Sequence, residues 1–168
     1  MIIKPENSYR LNETGGFFIV VALNESHCPI CQAMLVMRAT RERVWWLGNE
    51  EMRILLIRRL YCEDCKRIHH EIPDCLVPYK RYGADVIENI VSGEVRAKDL
   101  PCPSSTVSRI RAWWKAVKSY FLQILVVLEA RYKVSFGNPP AFREKVRAVA
   151  NSNNWIFAHQ VCTRSVNT

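Results

Sequence analysis

Four cysteines, arranged in two pairs, give the clearest chemical signal in this 168-residue chain. Cys28 and Cys31 form one C-x-x-C pair, and Cys62 and Cys65 form a second pair further along the chain. Two thiolates three residues apart can face one point through a tight turn, and four of them complete the tetrahedral shell of Zn²⁺. Because such a shell has no open position for water or substrate, the pattern predicts one structural zinc ion.

Disulfide bonds are the competing use of the same cysteines. The N-terminal residues lack the basic and long apolar regions of a secretory signal, which indicates a reducing compartment. We therefore expect a cytoplasmic protein whose cysteines bind metal. His69 follows Cys65 by four residues and could replace one thiolate, but surface exposure or a phosphate contact is the other interpretation for His69 and His70.

The charge of the chain is concentrated towards its C-terminus. The net charge is +8, yet residues 1–100 carry 14 Lys+Arg and 14 Asp+Glu. Residues 101–168 carry 10 basic residues and only two acidic ones, Glu129 and Glu144. A localised basic surface is typical of nucleic-acid-binding proteins, although a solvated face or a surface for an acidic protein is the alternative.

The elements around the cysteines predict a small zinc ribbon at 16–76, after a polar leader at 1–16. A β-branched and aromatic run that begins at Phe17 leads into the first pair, and residues 53–61, RILLIRRLY, are predicted to form a strand that ends on the second. The remaining residues, 77–168, are predicted to form a helical domain with a C-terminal helix. No apolar run is long enough to span a membrane, so no membrane association is expected.

A helix-turn-helix is predicted at about 82–118. Apolar residues recur at a helical period over 79–91, Pro101–Pro103 break the chain, and a long amphipathic helix follows. Its opening turns are basic, and the residues predicted to contact DNA are Ser104, Ser105, Thr106, Ser108, Arg109, Arg111, Lys115 and Lys118. In such a motif Arg109 and Arg111 would read base edges, and the serine, threonine and lysine side chains would hold phosphates.

An ordinary amphipathic core helix with a solvated basic face is the alternative interpretation of this segment. Beyond Tyr120 the helix is apolar on nearly all sides, which predicts that its far end is buried.

One stretch of the chain resembles a known group of proteins. Residues 58–82, RRLYCEDCKRIHHEIPDCLVPYKRY, resemble the zinc-ribbon end of uncharacterised bacterial proteins related to insertion-sequence transposases. The Ser-Thr-Val-x-Arg-x-x-x-Trp run at 105–113 resembles their helix-turn-helix, and the whole resemblance covers roughly 28–115. It implies DNA binding in a mobile-element setting. Gln32 and Lys66 depart from the pattern, since ribbon knuckles often have glycine at those positions.

The sequence argues against an independent enzyme. An RNase H-like nuclease needs three carboxylates around two metal ions, whereas no aspartate follows Asp99. We therefore expect an α+β protein, in which a four-cysteine zinc ribbon is followed by an α-helical helix-turn-helix domain. Its expected function is sequence-specific duplex DNA binding, as a regulator or as the targeting partner of a transposase or recombinase.

Two other functions remain open from the sequence. One is a protein-interaction adaptor within a recombinase or nucleoprotein complex, docking through an exposed Trp45–Trp46 pair, and the other is RNA binding. A homodimer is compatible with the pattern, because helix-turn-helix proteins often form two-fold dimers.

Overall fold

The computed structural model describes residues 1–138 and 140–155, and it divides the chain into two compact units, Met1–Gly83 and Ala84–Thr168. The first unit holds six strands: β1 Ile2–Lys4, β2 Tyr9–Thr14, β3 Phe17–Ala22, β4 Val36–Gly48, β5 Glu51–Cys62 and β6 Arg67–Pro73. The described part of the second unit holds three α-helices: α1 Ala84–Ser92, α2 Ser104–Tyr132 and α3 Phe142–Asn151. Short 3-10 helices occur at Glu6–Ser8 and Ala97–Asp99.

Strand β5 is the central strand of a mixed sheet and pairs with three other strands. It pairs antiparallel with β4 along almost its whole length. Its other edge is shared, because β3 runs parallel to residues 54–56 and β6 runs antiparallel to residues 58–62. Strand β1 adds parallel to β6, and β2 forms a hairpin with β3 through Gly15 and Gly16, both at positive φ. The end of β5 that pairs with β6 is therefore also the end that carries Cys62.

Side chains on neighbouring positions of these strands point to opposite faces of the sheet. Register pairs Arg58 with Glu71 and Leu60 with His69, which places these four residues on one face. Arg59 pairs with His70 and so lies on the other face. The two faces consequently carry different chemistry: one supports the cysteines, and the other holds a group of cations.

The predicted fold class, a small zinc ribbon followed by a helix-turn-helix domain, is wrong in both halves. In the first half, the expected polar leader contains β1 and β2, so the cysteines belong to a six-stranded sheet. Ile3 is buried, and β1 pairs with β6, the last strand of the unit. A three-residue strand is too short to show a period of two, which is why the sequence pattern did not reveal it.

In the second half, the helices are not joined as in a helix-turn-helix. That motif has a turn of three or four residues, whereas residues 93–103, which include the second 3-10 helix, separate α1 from α2. Helix α2 is 29 residues long and packs against both α1 and α3. Leu100 in the connection is buried, so this segment is a packed part of the unit.

The core of the second unit is aromatic and sits on the first two-thirds of α2. Trp113, Trp114 and Phe121 are buried there and contact one another, and Phe142 of α3 packs edge-on against Trp114. Trp155 packs against Phe121 in the same cluster. The apolar stripe of α2 is therefore a packing surface, as its period of 3.6 predicted.

The expected burial of the far end of α2 is wrong. Val126 and Val127 are 64% and 56% exposed, and the buried stripe of the helix ends at Leu125. None of the helices among the described residues is long and apolar enough to cross a membrane.

Candidate metal centre

The four paired cysteines converge at one end of the sheet. Cys28 and Cys31 lie in the loop between β3 and β4, Cys62 ends β5, and Cys65 lies in the turn before β6. The sulfurs of Cys28 and Cys62 are each 3.4 Å from that of Cys65, and the Cys31 sulfur is 3.4 Å from Cys62 and 3.2 Å from Cys65. All four lie within 4.8 Å of one another, so the group can hold a metal ion, as the spacing predicted.

Each C-x-x-C pair is closed by a tight turn whose last position is left-handed. Gln32 has φ 66° and Lys66 has φ 56°, directly after Cys31 and Cys65. The first turn is closed by the Gln32 amide, which donates to the Cys28 carbonyl over 2.9 Å. The left-handed backbone costs a non-glycine residue about 1–2 kcal/mol, so the two departures from glycine weaken the turns without preventing them.

The spacing of the sulfurs suits a shared ion. Bonded disulfide sulfurs are about 2.05 Å apart, whereas the edges of a tetrahedron with Zn–S bonds of about 2.3 Å are about 3.8 Å. The observed 3.2–3.4 Å is close to such an edge, and all four cysteines are unbonded thiols. The donor set therefore fits a tetrahedral thiophilic metal.

Hydrogen bonds within the cluster shift the pKa values of its thiols in different directions. The Cys65 amide donates to the Cys62 sulfur over 3.5 Å, and amide donation of this kind lowers the pKa of Cys62 to about 7. The pKa of Cys65 is raised, first because its thiol donates a hydrogen bond to the Cys31 sulfur. Several thiolates this close repel one another, so full deprotonation of the cluster calls for a cation among them.

His69 touches this cluster and is not needed to complete it. The side chain is 4% exposed, and its Nε2 lies 3.4 Å from the Cys28 sulfur. The four sulfurs form the group without it. An imidazole N–H beside a sulfur ligand is suited to donating a hydrogen bond to that ligand, which holds the ligand in place.

A buried carboxylate holds the loop that carries the first cysteine pair. Glu71 is 0% exposed; it accepts hydrogen bonds from the Arg58 guanidinium, with contacts of 2.7 and 2.8 Å, and from the Ser26 hydroxyl. Lys4 lies 4.0 Å from Glu71 and donates to the carbonyls of residues 24 and 25. Residues 24–26 immediately precede His27 and Cys28. This network therefore links β1, β5 and β6 to the loop that carries Cys28 and Cys31.

Sequence reasoning did not identify this network. Its members are spread over residues 4, 26, 58 and 71, and each looks like an ordinary surface residue in its own segment. The available signal was that Glu71 and His69 are two residues apart and so share a face, and using it requires knowing that residues 67–73 form a strand.

The residues predicted to contact DNA all lie on the first half of α2. All are exposed except Thr106, which is half-buried. Two of them make local contacts: Arg109 donates to the Thr106 hydroxyl over 3.3 Å, and the Arg111 Nε donates to the Ile90 carbonyl of α1 over 3.2 Å. The eight residues thus lie along one helical segment but on more than one side of it, since Arg109 and Lys118 are about 180° apart around the helix axis. Arg111 is partly engaged in packing α1 against α2.

The tryptophan pair proposed as an adaptor surface is not exposed. Trp45 is buried, and its indole nitrogen lies 2.5 Å from where a Cβ on Gly83 would be. Trp46 is half-buried and packs against Tyr82 with ring centroids 6.4 Å apart. Both side chains therefore serve the packing of the first unit.

Comparison with known proteins gives a family match for part of the chain. A family model described as "Domain of unknown function (DUF6431)" matches residues 28–110. No curated protein and no solved structure matches the chain. The matched segment begins at Cys28, includes all four cysteines of the cluster, and ends within the second turn of α2.

Proposed function

We propose that the chain is a duplex DNA-binding protein whose first unit folds around one structural zinc ion. The proposed role is that of a regulator of a mobile element, or of the targeting partner of its transposase or recombinase. The observation that carries the proposal is the exposed basic surface on the first half of α2, formed by Arg109, Lys115 and Lys118. We call these three residues the α2 cations.

The charged side chains on the first part of α2 are all positive. Between Ser104 and Leu128 the sequence contains four cations and no carboxylate. The α2 cations are exposed, and among the described residues none of them forms an ion pair. Such a surface gains free energy near phosphates, because each contact releases counterions from the nucleic acid.

The small residues beside the α2 cations favour the same ligand. Ser105, Ser108 and Ala112 recur at steps of three and four, so they line one exposed stripe of the helix. Small side chains let a phosphate backbone approach closely, and the free amides at the helix N-terminus add a positive end. DNA contact by α2 in this proposal does not require a helix-turn-helix.

Zinc is proposed for the cysteine cluster because four thiolates are soft ligands. Such ligands select zinc and related metals over magnesium or calcium, which prefer oxygen. When bound, the ion would supply folding free energy by holding Cys28 and Cys31 to the end of β5.

The test is binding of metal-quantified protein to labelled random duplex DNA across a salt series. With three phosphate contacts the slope of log K against log salt is about −2.7, which is about a 40-fold loss of affinity from 50 to 200 mM salt. The triple variant with alanine at the α2 cations should lose most of this slope. The matched control is Arg131→Ala, which removes a cation from the last turn of the same helix, far from the α2 cations.

Three outcomes would contradict parts of the proposal. Absence of binding at 50 mM salt, in protein that contains one zinc per chain, would exclude DNA as the ligand. An equal effect of Arg131→Ala would exclude the α2 surface. Tighter binding to duplex RNA or to single strands in competition would replace duplex DNA by that ligand. Selection from a random pool would then test sequence preference.

A further inference from the structure

The face of the sheet opposite Glu71 contains a pocket of about 250 Å³. Arg41, Arg43 and His70 line it together with Ile57 and Ile72, and Tyr79 forms part of its wall. Register explains the gathering: Arg41 and Arg43 are two apart on β4, and Arg41 pairs with Ile57 of β5. Three adjacent strands thus contribute to one surface of the first unit.

The cations around this pocket have no acidic partner. Arg59 lies next to it, since it pairs with Ala39 of β4 and with His70 of β6. Within the described part of the chain, no ion pair joins Arg41, Arg43 or Arg59 to a carboxylate. The Nε atoms of Arg43 and Arg59 are buried and have no hydrogen-bond partner among the described residues. Buried donors without an acceptor are rare in proteins, and one of these two residues, Arg43, lines the cavity.

Burial and the neighbouring positive charges lower the pKa values of two groups that line the pocket. The pKa of His70 is lowered, first by burial and then by the charges of Arg41 and Arg59. The pKa of Arg43 is lowered by burial and then by Arg41. Burial is the larger cause of both shifts, because it disfavours the charged forms, and the neighbouring positive charges add to it. An anion in the pocket would offset the contribution of those charges.

The pocket is also held in place. One terminal nitrogen of Arg43 donates to the Lys80 carbonyl over 2.8 Å, which fixes its guanidinium against the segment that carries Tyr79. Tyr79 itself has a left-handed backbone, with φ 60°. Such conformations in non-glycine residues occur often at ligand-binding sites, where the surroundings maintain them.

We propose that this pocket, which we call the sheet-face pocket, binds the phosphate group of a phosphorylated ligand. Arg41 and Arg43 would contact the phosphate oxygens, with the positive charge of Arg59 beside them. Planar guanidinium groups suit this role because their paired N–H groups match two phosphate oxygens. Ile57, Ile72 and the ring of Tyr79 would contact the apolar or planar part of the ligand. This site lies in the first unit and does not depend on the α2 surface.

The test is a chemical-shift titration of the full-length, zinc-loaded, ¹⁵N-labelled protein. The probes are inorganic phosphate, adenosine 5′-monophosphate and adenosine, which has no phosphate. We expect shifts at β4 and at the His70 ring with both phosphate probes, and none there with adenosine. Arg41→Met should raise the dissociation constant at least tenfold. Its side chain is exposed, so the variant should fold.

The matched control is Arg38→Met on the same strand. Arg38 pairs with Glu63 at 3.7 Å and lies over the Tyr61 ring, so its loss should change phosphate binding less than twofold. The proposal is overturned if 20 mM phosphate or adenosine 5′-monophosphate leaves β4 and His70 unshifted. It is equally overturned if Arg41→Met binds like the parent.

A fourth probe separates two sources of the phosphate. A short 5′-phosphorylated single strand that binds at least tenfold more tightly than adenosine 5′-monophosphate, and loses this advantage in Arg41→Met, would identify a nucleic-acid backbone. Equal affinity for the two would identify a small phosphorylated molecule. The α2 triple variant should keep this binding, so failure of the DNA proposal would not be mistaken for failure of this one.

Discussion

Replacing Glu71 by glutamine should destabilise the sheet unit more than any change to an exposed ion pair. The carboxylate is 0% exposed and lies between two cations, Arg58 at 2.7 Å and Lys4 at 4.0 Å. Glutamine keeps the shape and removes the charge, so both cations lose their compensating anion. Breaking a buried pair in this way costs about 3–5 kcal/mol. The Arg58 side chain is still 22% exposed, so the lower limit of about 3 kcal/mol applies.

Strand β5 offers a matched control. Glu51 pairs with Arg53 at 2.8 Å, almost the same distance, but the two side chains are 56% and 39% exposed. An exposed pair contributes about 0–1 kcal/mol, because water screens both charges. Glu51→Gln should therefore cost about 2–3 kcal/mol less than Glu71→Gln. The contact distance to the arginine is nearly the same in the two pairs, so the difference reports burial together with the additional partners of Glu71, Lys4 and Ser26.

The assay is urea unfolding at a fixed zinc concentration, read by circular dichroism and by amide exchange in β5 and β6. The exchange data separate the sheet unit from the helical unit. With an m value of about 1.5 kcal/mol/M, the midpoint for Glu71→Gln should fall by about 2 M. Because Ser26 and Lys4 connect Glu71 to the loop before Cys28, zinc affinity should also fall about 10–100-fold. Equal stability losses in the two variants would refute the reasoning from burial.

Three further predictions concern the metal centre and α2. Cys62→Ser should abolish stoichiometric zinc binding, measured by metal analysis after dialysis, while Cys102→Ser, outside the cluster, should leave one zinc per chain. Gln32→Gly and Lys66→Gly should each raise the free energy of unfolding by about 1 kcal/mol, because glycine adopts the left-handed turn without strain. Gln32→Ala should not raise it, and a stabilisation by alanine as large as that by glycine would disprove the backbone explanation. Arg111→Ala should lower the free energy of unfolding by about 1 kcal/mol, because the hydrogen bond to the Ile90 carbonyl is lost. Lys115→Ala should leave the free energy of unfolding unchanged and reduce the slope of log K for DNA against log salt by about 0.9. The reverse pattern would exchange their roles.

The metal centre could be predicted from the sequence because its geometry is local. Two cysteines three residues apart reach one ion through one turn, whatever surrounds them, and only the meeting of the two pairs depends on the fold. The period of α2 could be predicted in part. Five of its buried residues, Val107, Ile110, Trp114, Val117 and Phe121, recur at the predicted steps of three and four, whereas Trp113 and Leu125 are also buried and do not follow them. Exposure of its far end could not be predicted in this way, since exposure depends on what lies opposite, and helix periodicity does not contain that information.

The helix-turn-helix prediction failed for a related reason. Pro101 and Pro103 mark a break in any fold, but a break does not state how the helices on either side are joined. The connection from 93 to 103 is long, and Leu100 is buried within it. A helical period over 79–91 and a basic helix after a proline turn fit this three-helix packing as well as the predicted motif.

What the sequence alone determined is therefore the chemistry that neighbouring residues create: two thiolate pairs, one long amphipathic helix and a basic C-terminal part. Tertiary structure alone decided which distant residues meet. It paired β1 with β6, placed Glu71 between Lys4 and Arg58, and gathered Arg41, Arg43 and His70 on one face. Those contacts follow from strand register, and register is set by long-range pairing and burial, which are properties of the whole sheet and not of any segment within it.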